Sequence, residues 1–289
     1  MSDTQYWIWL SRLEKIGSIK LQNLLNQFKT PKNIWCATKE DLIKVQGIGE
    51  TLANTILDTK YKENLDKYEN YMRKNNIQLI TIFDKYYPEK LKQIYDKPIV
   101  LYVKGNKEIL NNFSLAIIGC RENTKYGEIV ARKITEDIVK EGIVTISGLA
   151  KGIDSIAHTS TLNAKGKTIA VIGSGLDEIY PKENIELANK IIDKGGIIVS
   201  EYIVGTKAQK MNFPARNRII SGMSSGIIVI EANKKSGTMI TVDFALEQGK
   251  EIFAVPGNIT SKNSEGTNEL IKQGAKLVTD AQDIIEEYI

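Results

Sequence analysis

Residues 115–154 read LAIIGCRENTKYGEIVARKITEDIVKEGIVTISGLAKGID, and this stretch decides the fold. A β-branched apolar run at 115–118 stops at Gly119, the segment from Tyr126 to Glu141 repeats apolar residues at three and four, and a second apolar run, IVTISG, follows at 143–148. Short apolar runs without alternation are strands buried on both faces, and a helix joining two of them makes a right-handed βαβ unit. The unit recurs downstream through TIAVIG at 168–173, GIIVSE at 196–201, GIIVIE at 226–231 and EIFAVPG at 251–257, with helical segments from Ile153 to Lys165, Asn184 to Lys194 and Thr238 to Gln248. Upstream, IQLITI at 77–82 and PIVLYV at 98–103 read as further parallel strands. The pattern predicts an α/β fold: a doubly wound, mostly parallel, Rossmann-like sheet over residues 76–289.

Residues 1–75 carry a different period. Ile8, Leu10, Leu13 and Ile16, then Leu21, Leu24, Leu25 and Phe28, recur at helical spacing and predict a small all-α domain with Trp7, Trp9 and Trp35 in its core. Within it, VQGIGETLA at 45–53 resembles a helix-hairpin-helix turn, where two glycines let backbone amides face a phosphate or simply reverse the chain.

The 289 residues include 39 Lys and Arg against 35 Asp and Glu, a net charge of +4, which permits a nucleic acid partner without demanding one. No apolar run is long enough to cross a membrane and no cleavage pattern follows the N-terminus, so a cytoplasmic location is expected. Cys36 and Cys120 lie far apart and His158 is the single histidine, which leaves no metal framework; no cofactor is expected.

In doubly wound sheets ligands bind at the carboxyl ends of the strands. Those ends carry Gly119-Cys120-Arg121, then SGLAKGID at 147–154 with Gly148 and Lys151, then Gly173-Ser174-Gly175, then Ser200-Glu201 and Glu231. Glycine allows close backbone approach, and free amides at a following helix favour an anion. Only six arginines occur, and Arg121, Arg216 and Arg218 are read as lying in loops after strands, where a guanidinium fork suits phosphate. The stretch MNFPARNRIISG at 211–222 adds Phe213 and Asn217, a composition suited to a phosphate backbone with a base stacked on Phe213 or Tyr180. Helix capping by Asn212 or Asn217 is the simpler structural reading of the same residues. A dinucleotide site fails on detail, because Glu178 replaces the third glycine of its fingerprint and Pro181 interrupts the helix it needs.

Taken together, IGSGLDEIYPKEN at 172–184, NFPARNRIISGMS at 212–224, SGTMIT at 236–241 and FAVPGNI at 253–259, collinear with the motifs above, resemble the DNA-processing protein A (DprA/Smf) family. The resemblance implies single-stranded DNA binding without catalysis, protection of incoming DNA during natural transformation, loading of RecA recombinase and a homodimer formed through the Rossmann-like part. It puts the key DNA-binding arginine at Arg121 and its companion lysine at Lys182, with Arg216, Arg218 and Lys151 in the same pocket. It also makes the helical domain SAM-like. Two departures are Cys120, where serine is common, and the absence after Ile289 of the winged-helix-like domain of many members. The competing readings are a nucleotide-processing enzyme similar to lysine-decarboxylase-like phosphoribohydrolases, using Gly237, Thr238, Glu231 and Glu247, and a pure recombinase adaptor.

Overall fold

The structure, a computed structural model, describes residues 1–288. Six helices come first: α1 (Asp3–Ser11), α2 (Ser18–Phe28), α3 (Pro31–Trp35), α4 (Lys39–Ile43), α5 (Glu50–Leu57) and α6 (Leu65–Lys74). Their starts are set locally. Ser2 and Gln5 form a capping box on α1, while Thr30 and Thr38 cap α3 and α4. The tryptophans pack as the sequence predicts for Trp7 and Trp9, which are buried, and Trp35 stacks edge-on against Trp9 at 5.1 Å.

The rest of the chain builds the sheet from β1 (Gln78–Thr81), β2 (Val100–Gly105), β3 (Ser114–Ile118), β4 (Val144–Ser147), β5 (Thr168–Ile172), β6 (Ile197–Ser200), β7 (Gly226–Val229), β8 (Glu251–Ala254) and β9 (Lys276–Leu277). The intervening helices are α7 (Glu89–Lys92), α8 (Lys125–Lys140), α9 (Ile153–Asn163), α10 (Ile185–Asp193), α11 (Asn212–Met223), α12 (Gly237–Glu247), α13 (Glu265–Lys272) and α14 (Gln282–Ile285). Among the described residues the strand order is β1-β2-β6-β5-β4-β3-β7-β8-β9. Ala116 of β3 pairs with Ile146 of β4 on one side and Ile227 of β7 on the other, so the winding direction reverses there. Strands β3 to β7 are buried along their whole length, the reason their sequences run apolar without alternation.

One expectation is corrected. IQLITI and PIVLYV are strands, but β2 runs antiparallel to both β1 and β6. A run buried on both faces carries no mark of direction, which is decided by how the chain returns to the sheet.

Hydrophobic residues of the first six helices share a core with Val100 and Tyr102 of β2, Ala170 and Ile172 of β5, and Ile191 of α10. Ser11 and Tyr102 hydroxyls lie 2.6 Å apart across that contact. On the opposite face α7, α11 and α12 cover the sheet with Leu91, Ile219, Ile220 and Val242. Helices α8, α9 and α14 cover the β3, β7 and β8 side through Ile134, Ala157 and Ile284.

Candidate nucleic-acid interface

A cleft of about 650 Å³ opens at the reversal point, at the carboxyl ends of β3 and β7. Arg121, Tyr180, Lys210, Phe213, Arg216 and Asn217 line it, together with the first turn of α12.

The loop holding Arg121 is built by close backbone packing. Gly152, with φ of +77°, passes beneath it so closely that a Cβ would stand 2.3 Å from the Cys120 carbonyl oxygen. Ile153 N donates to that oxygen at 3.1 Å, and Cys120 N donates to the Glu231 carbonyl at 2.9 Å. The Cys120 side chain is buried in this turn, and burial raises its thiol pKa, so it stands as an uncharged filler. Backbone groups hold the turn, and no side-chain hydroxyl at position 120 is needed for these bonds.

Arg121 is exposed and has no acid partner among the described residues. Its guanidinium carbon lies 5.8 Å from the Phe213 ring centre, and the Phe213 and Tyr180 rings are 5.5 Å apart. A guanidinium beside the Phe213 ring, in a cleft that Tyr180 also lines, can grip a phosphate while an aromatic ring stacks a base. Gly173 lies under Phe213, whose Cδ1 would be 3.3 Å from an added Cβ.

Arg216 and Arg218 are not loop residues. Both lie inside α11, where two positions differ by about 200° around the axis, so one cleft cannot receive both. Arg216 faces the cleft from below but is only 5% exposed. Its Nη1 donates to the Gly148 carbonyl at 2.6 Å and closely to that of Val171, and its Nε donates to Asn217 Oδ1 at 3.2 Å. Burial lowers its pKa to about 10; the Asp154 carboxylate opposes the shift and the Arg121 charge adds to it. Asp154 in turn accepts the Gly148 and Ala150 amides at 3.1 and 3.3 Å. Burial raises its own pKa against the attraction of Arg216.

Arg218 points the other way. Its Nη2 sits 2.7 and 2.8 Å from the two Glu201 carboxylate oxygens and 3.1 Å from Ser18 Oγ of α2, and its Nε is 3.0 Å from Asp96. Burial works against its charge, yet Glu201 and Asp96 hold its pKa above the ordinary arginine value. The structure therefore ties Arg218 to the contact between the helical segment and the sheet, not to the cleft.

The glycines divide in the same way. Gly119 lines the cleft, where a Cβ would meet Ile153 at 2.7 Å. Gly148 gives its amide to Asp154 and leaves room for the Arg216 guanidinium, which an added Cβ would meet at 2.5 Å. Gly175 spends its amide on the Thr206 carbonyl at 2.8 Å. Gly148 and Gly175 amides are thus committed to the protein itself.

Lys182 is exposed, two residues beyond Tyr180, with no ion pair among the described residues. Lys151 is exposed and bonded to Glu183 at 2.6 Å, which raises its pKa. Asn217 also reaches the Gly237 carbonyl at 3.4 Å. Lys210 on the cleft wall and the organising Asp154 escaped the sequence reading: the first precedes the quoted stretch by one residue, and the second is the aspartate that closes SGLAKGID.

The acids of the enzyme reading do not meet. Glu231 is buried, accepting Thr124 N at 2.9 Å and Thr124 Oγ1 at 2.5 Å at the start of α8, while Glu247 is exposed on a separate cleft. Among the described residues no cluster of His, Cys, Asp and Glu could hold a metal ion, and no helix is long and apolar enough to cross a membrane.

Comparison with known proteins follows the sheet. The family described as DNA recombination-mediator protein A matches residues 78–289. DNA processing protein DprA of Bacillus subtilis is 47% identical over 216 residues, 74% of this chain and 72% of that protein. The X-ray structure of DprA from Streptococcus pneumoniae superposes with a TM-score of 0.84 at 35% identity, covering 100% of this chain and 99% of that one. DNA processing protein A from Helicobacter pylori, whose structure was described for a unique single-stranded DNA binding mode, matches with a TM-score of 0.65 at 32% identity, over 73% of this chain and 95% of that one. With the family model matching residues 78–289, a relative 47% identical over 74% of the chain and a fold shared over its whole length, the protein belongs to the DNA recombination-mediator protein A family.

Proposed function

We propose that the protein binds single-stranded DNA in the cleft at the β3–β7 reversal, acting by binding rather than by catalysis. The observation that carries this reading is the Arg121 guanidinium, exposed and without an acid partner among the described residues, beside the Phe213 ring that pairs with Tyr180. Arg121 holds a phosphate, Phe213 or Tyr180 stacks a base, and Lys182, Lys151 and Lys210 supply positive charge at the rim. Arg216 shapes the floor through its carbonyl bonds and Gly119, Gly148 and Gly173 let the loops close around it; Arg218 takes no part. Phosphate contacts carry no base information and stacking accepts every base, so sequence preference is slight.

Family membership supports the wider role: protection of incoming DNA and transfer of the strand to RecA recombinase, by a homodimer joined through the sheet domain, in the cytoplasm. The helical residues 1–75 serve as a SAM-like domain on the sheet domain of residues 76–289. The nucleotide-enzyme alternative loses support because Glu231 is engaged by Thr124.

Fluorescence anisotropy with a labelled single strand and its duplex tests the reading. Affinity for the single strand falls with salt at a slope of about −0.7 per neutralised phosphate. Arg121→Ala weakens binding by roughly ten- to a hundredfold, the value of one charge-assisted hydrogen bond, and flattens the slope by about one phosphate. Unchanged affinity in folded Arg121→Ala protein removes the proposal.

A further inference from the structure

Two walls of the cleft come from distant parts of the chain. Ala150 lies on one, in the loop after β4, and Tyr180 on the other, in the loop that leads into α10. The β4 loop also bears the Arg121 turn: Gly152 packs against the Cys120 and Arg121 carbonyls, and Ile153 N donates to Cys120.

Asn184 spans the two loops. It stands immediately before α10, where an asparagine ordinarily caps a helix, yet its side chain makes no bond to α10 among the described residues. Its Nδ2 donates instead to the carbonyls of Leu149 at 2.9 Å and Ala150 at 3.2 Å, 35 and 34 positions earlier in the chain. These peptides need holding. Leu149 has φ of +56°, a left-handed conformation that is unfavourable for a residue with a side chain and persists only where the surroundings fix it. Asp154 grips the amides of Gly148 and Ala150, but it belongs to the same segment of chain and ties it to nothing else. The other link between the walls, Lys151 with Glu183, is exposed on both sides and holds little.

We infer that Asn184 is a positioning residue for strand binding. It locks the Leu149 and Ala150 peptides, and through Gly152 and Ile153 the Arg121 turn, at a fixed place relative to the Tyr180 wall. The cleft is thereby assembled before the strand arrives, and preorganisation of this kind raises affinity without any contact to the ligand. The inference rests on the reading of this cleft as the single-strand site.

The test is anisotropy with the labelled single strand on Asn184→Ala and Asn184→Ser proteins, each alone and combined with Arg121→Ala. Serine caps a helix as well as asparagine does and is neutral, but it is too short to reach both carbonyls. Both single variants bind about tenfold more weakly, the worth of two neutral hydrogen bonds. In the Arg121→Ala background the further loss falls below about twofold, because the turn no longer carries the group that was being placed. In the NMR spectrum of isotope-labelled free protein, the Arg121 Nε–Hε signal, set by the Phe213 ring 5.8 Å from the guanidinium, moves in both variants toward its value in an unfolded peptide while the backbone spectrum stays dispersed. A residue that only caps α10 produces no such movement. Wild-type affinity in folded Asn184→Ala protein overturns the inference, as does full recovery in Asn184→Ser or an equal loss with and without Arg121. Weakening by Arg121→Ala with none by Asn184→Ala is failure of this inference alone; no weakening by Arg121→Ala is failure of the single-strand reading, and this inference falls with it.

Discussion

Replacing Arg218 by methionine separates folding from DNA binding. The side chain is 8% exposed and makes two short bonds to Glu201, 22% exposed, and one to Asp96, 38% exposed. Removing one partner of a fully buried pair costs about 3–5 kcal/mol, because a desolvated charge is left behind, whereas an exposed pair is worth about 0–1 kcal/mol. Asp96, more than a third exposed, regains water and counts near the lower figure; Glu201 stays largely enclosed and counts toward the upper one. The expected loss is therefore about 2–4 kcal/mol, read from the urea unfolding midpoint. Adding Glu201→Gln should recover part of it, since the double variant no longer encloses an unpaired carboxylate, and the cycle of four proteins isolates the coupling. Hydrogen exchange in the first turn of α2 should rise with the loss, because Ser18 bonds both Arg218 and Glu201. Single-strand affinity should be unchanged wherever the variant is folded. An Arg218→Met protein with wild-type stability and the DNA defect of Arg121→Ala would refute the assignment.

Other consequences are as direct. Phe213→Leu or Tyr180→Leu should cost about 1–3 kcal/mol of single-strand affinity, the worth of a stacked base, without altering the salt slope, as anisotropy at several salt concentrations will show. Gly148→Ala should destabilise the protein by about 1–3 kcal/mol in thermal or urea unfolding, because the new Cβ meets a guanidinium that is fixed by two carbonyls. His158 is buried against Thr168 Oγ1 at 2.7 Å, and burial, followed by the Arg216 charge, lowers its pKa to about 3. A folded value below the unfolded one, near 6.5, means that this contribution is complete above pH 6.5 and is lost as the pH falls toward 3. Wild-type stability should accordingly drop more steeply than that of His158→Gln between pH 7 and pH 5, at up to about 1.4 kcal/mol per pH unit.

Much of this protein is written in local pattern. Apolar runs ending in glycine, alternating with helical periods, determined the doubly wound sheet, and the strand-end rule picked out Arg121, because a loop residue just past a strand needs only its own neighbours to be placed. The same rule put Arg216 and Arg218 together, and tertiary structure separated them. Their stretch is a helix, and its rotation per residue sends one guanidinium to the cleft floor and the other to Glu201 and Asp96, acids 17 and more than 100 positions away in the chain. The direction of β2 was equally hidden, since a strand buried on both faces reads alike in either sense. Which glycine amides remain free was hidden too: Asp154 and Thr206 claim those of Gly148 and Gly175 only once the loops have closed. Sequence by itself determined the elements and the edge of the sheet at which the Arg121 cleft opens. Partner choice among charged and polar groups was decided by the folded chain, because hydrogen bonds and ion pairs depend on angstrom-scale distances between residues that no local period connects.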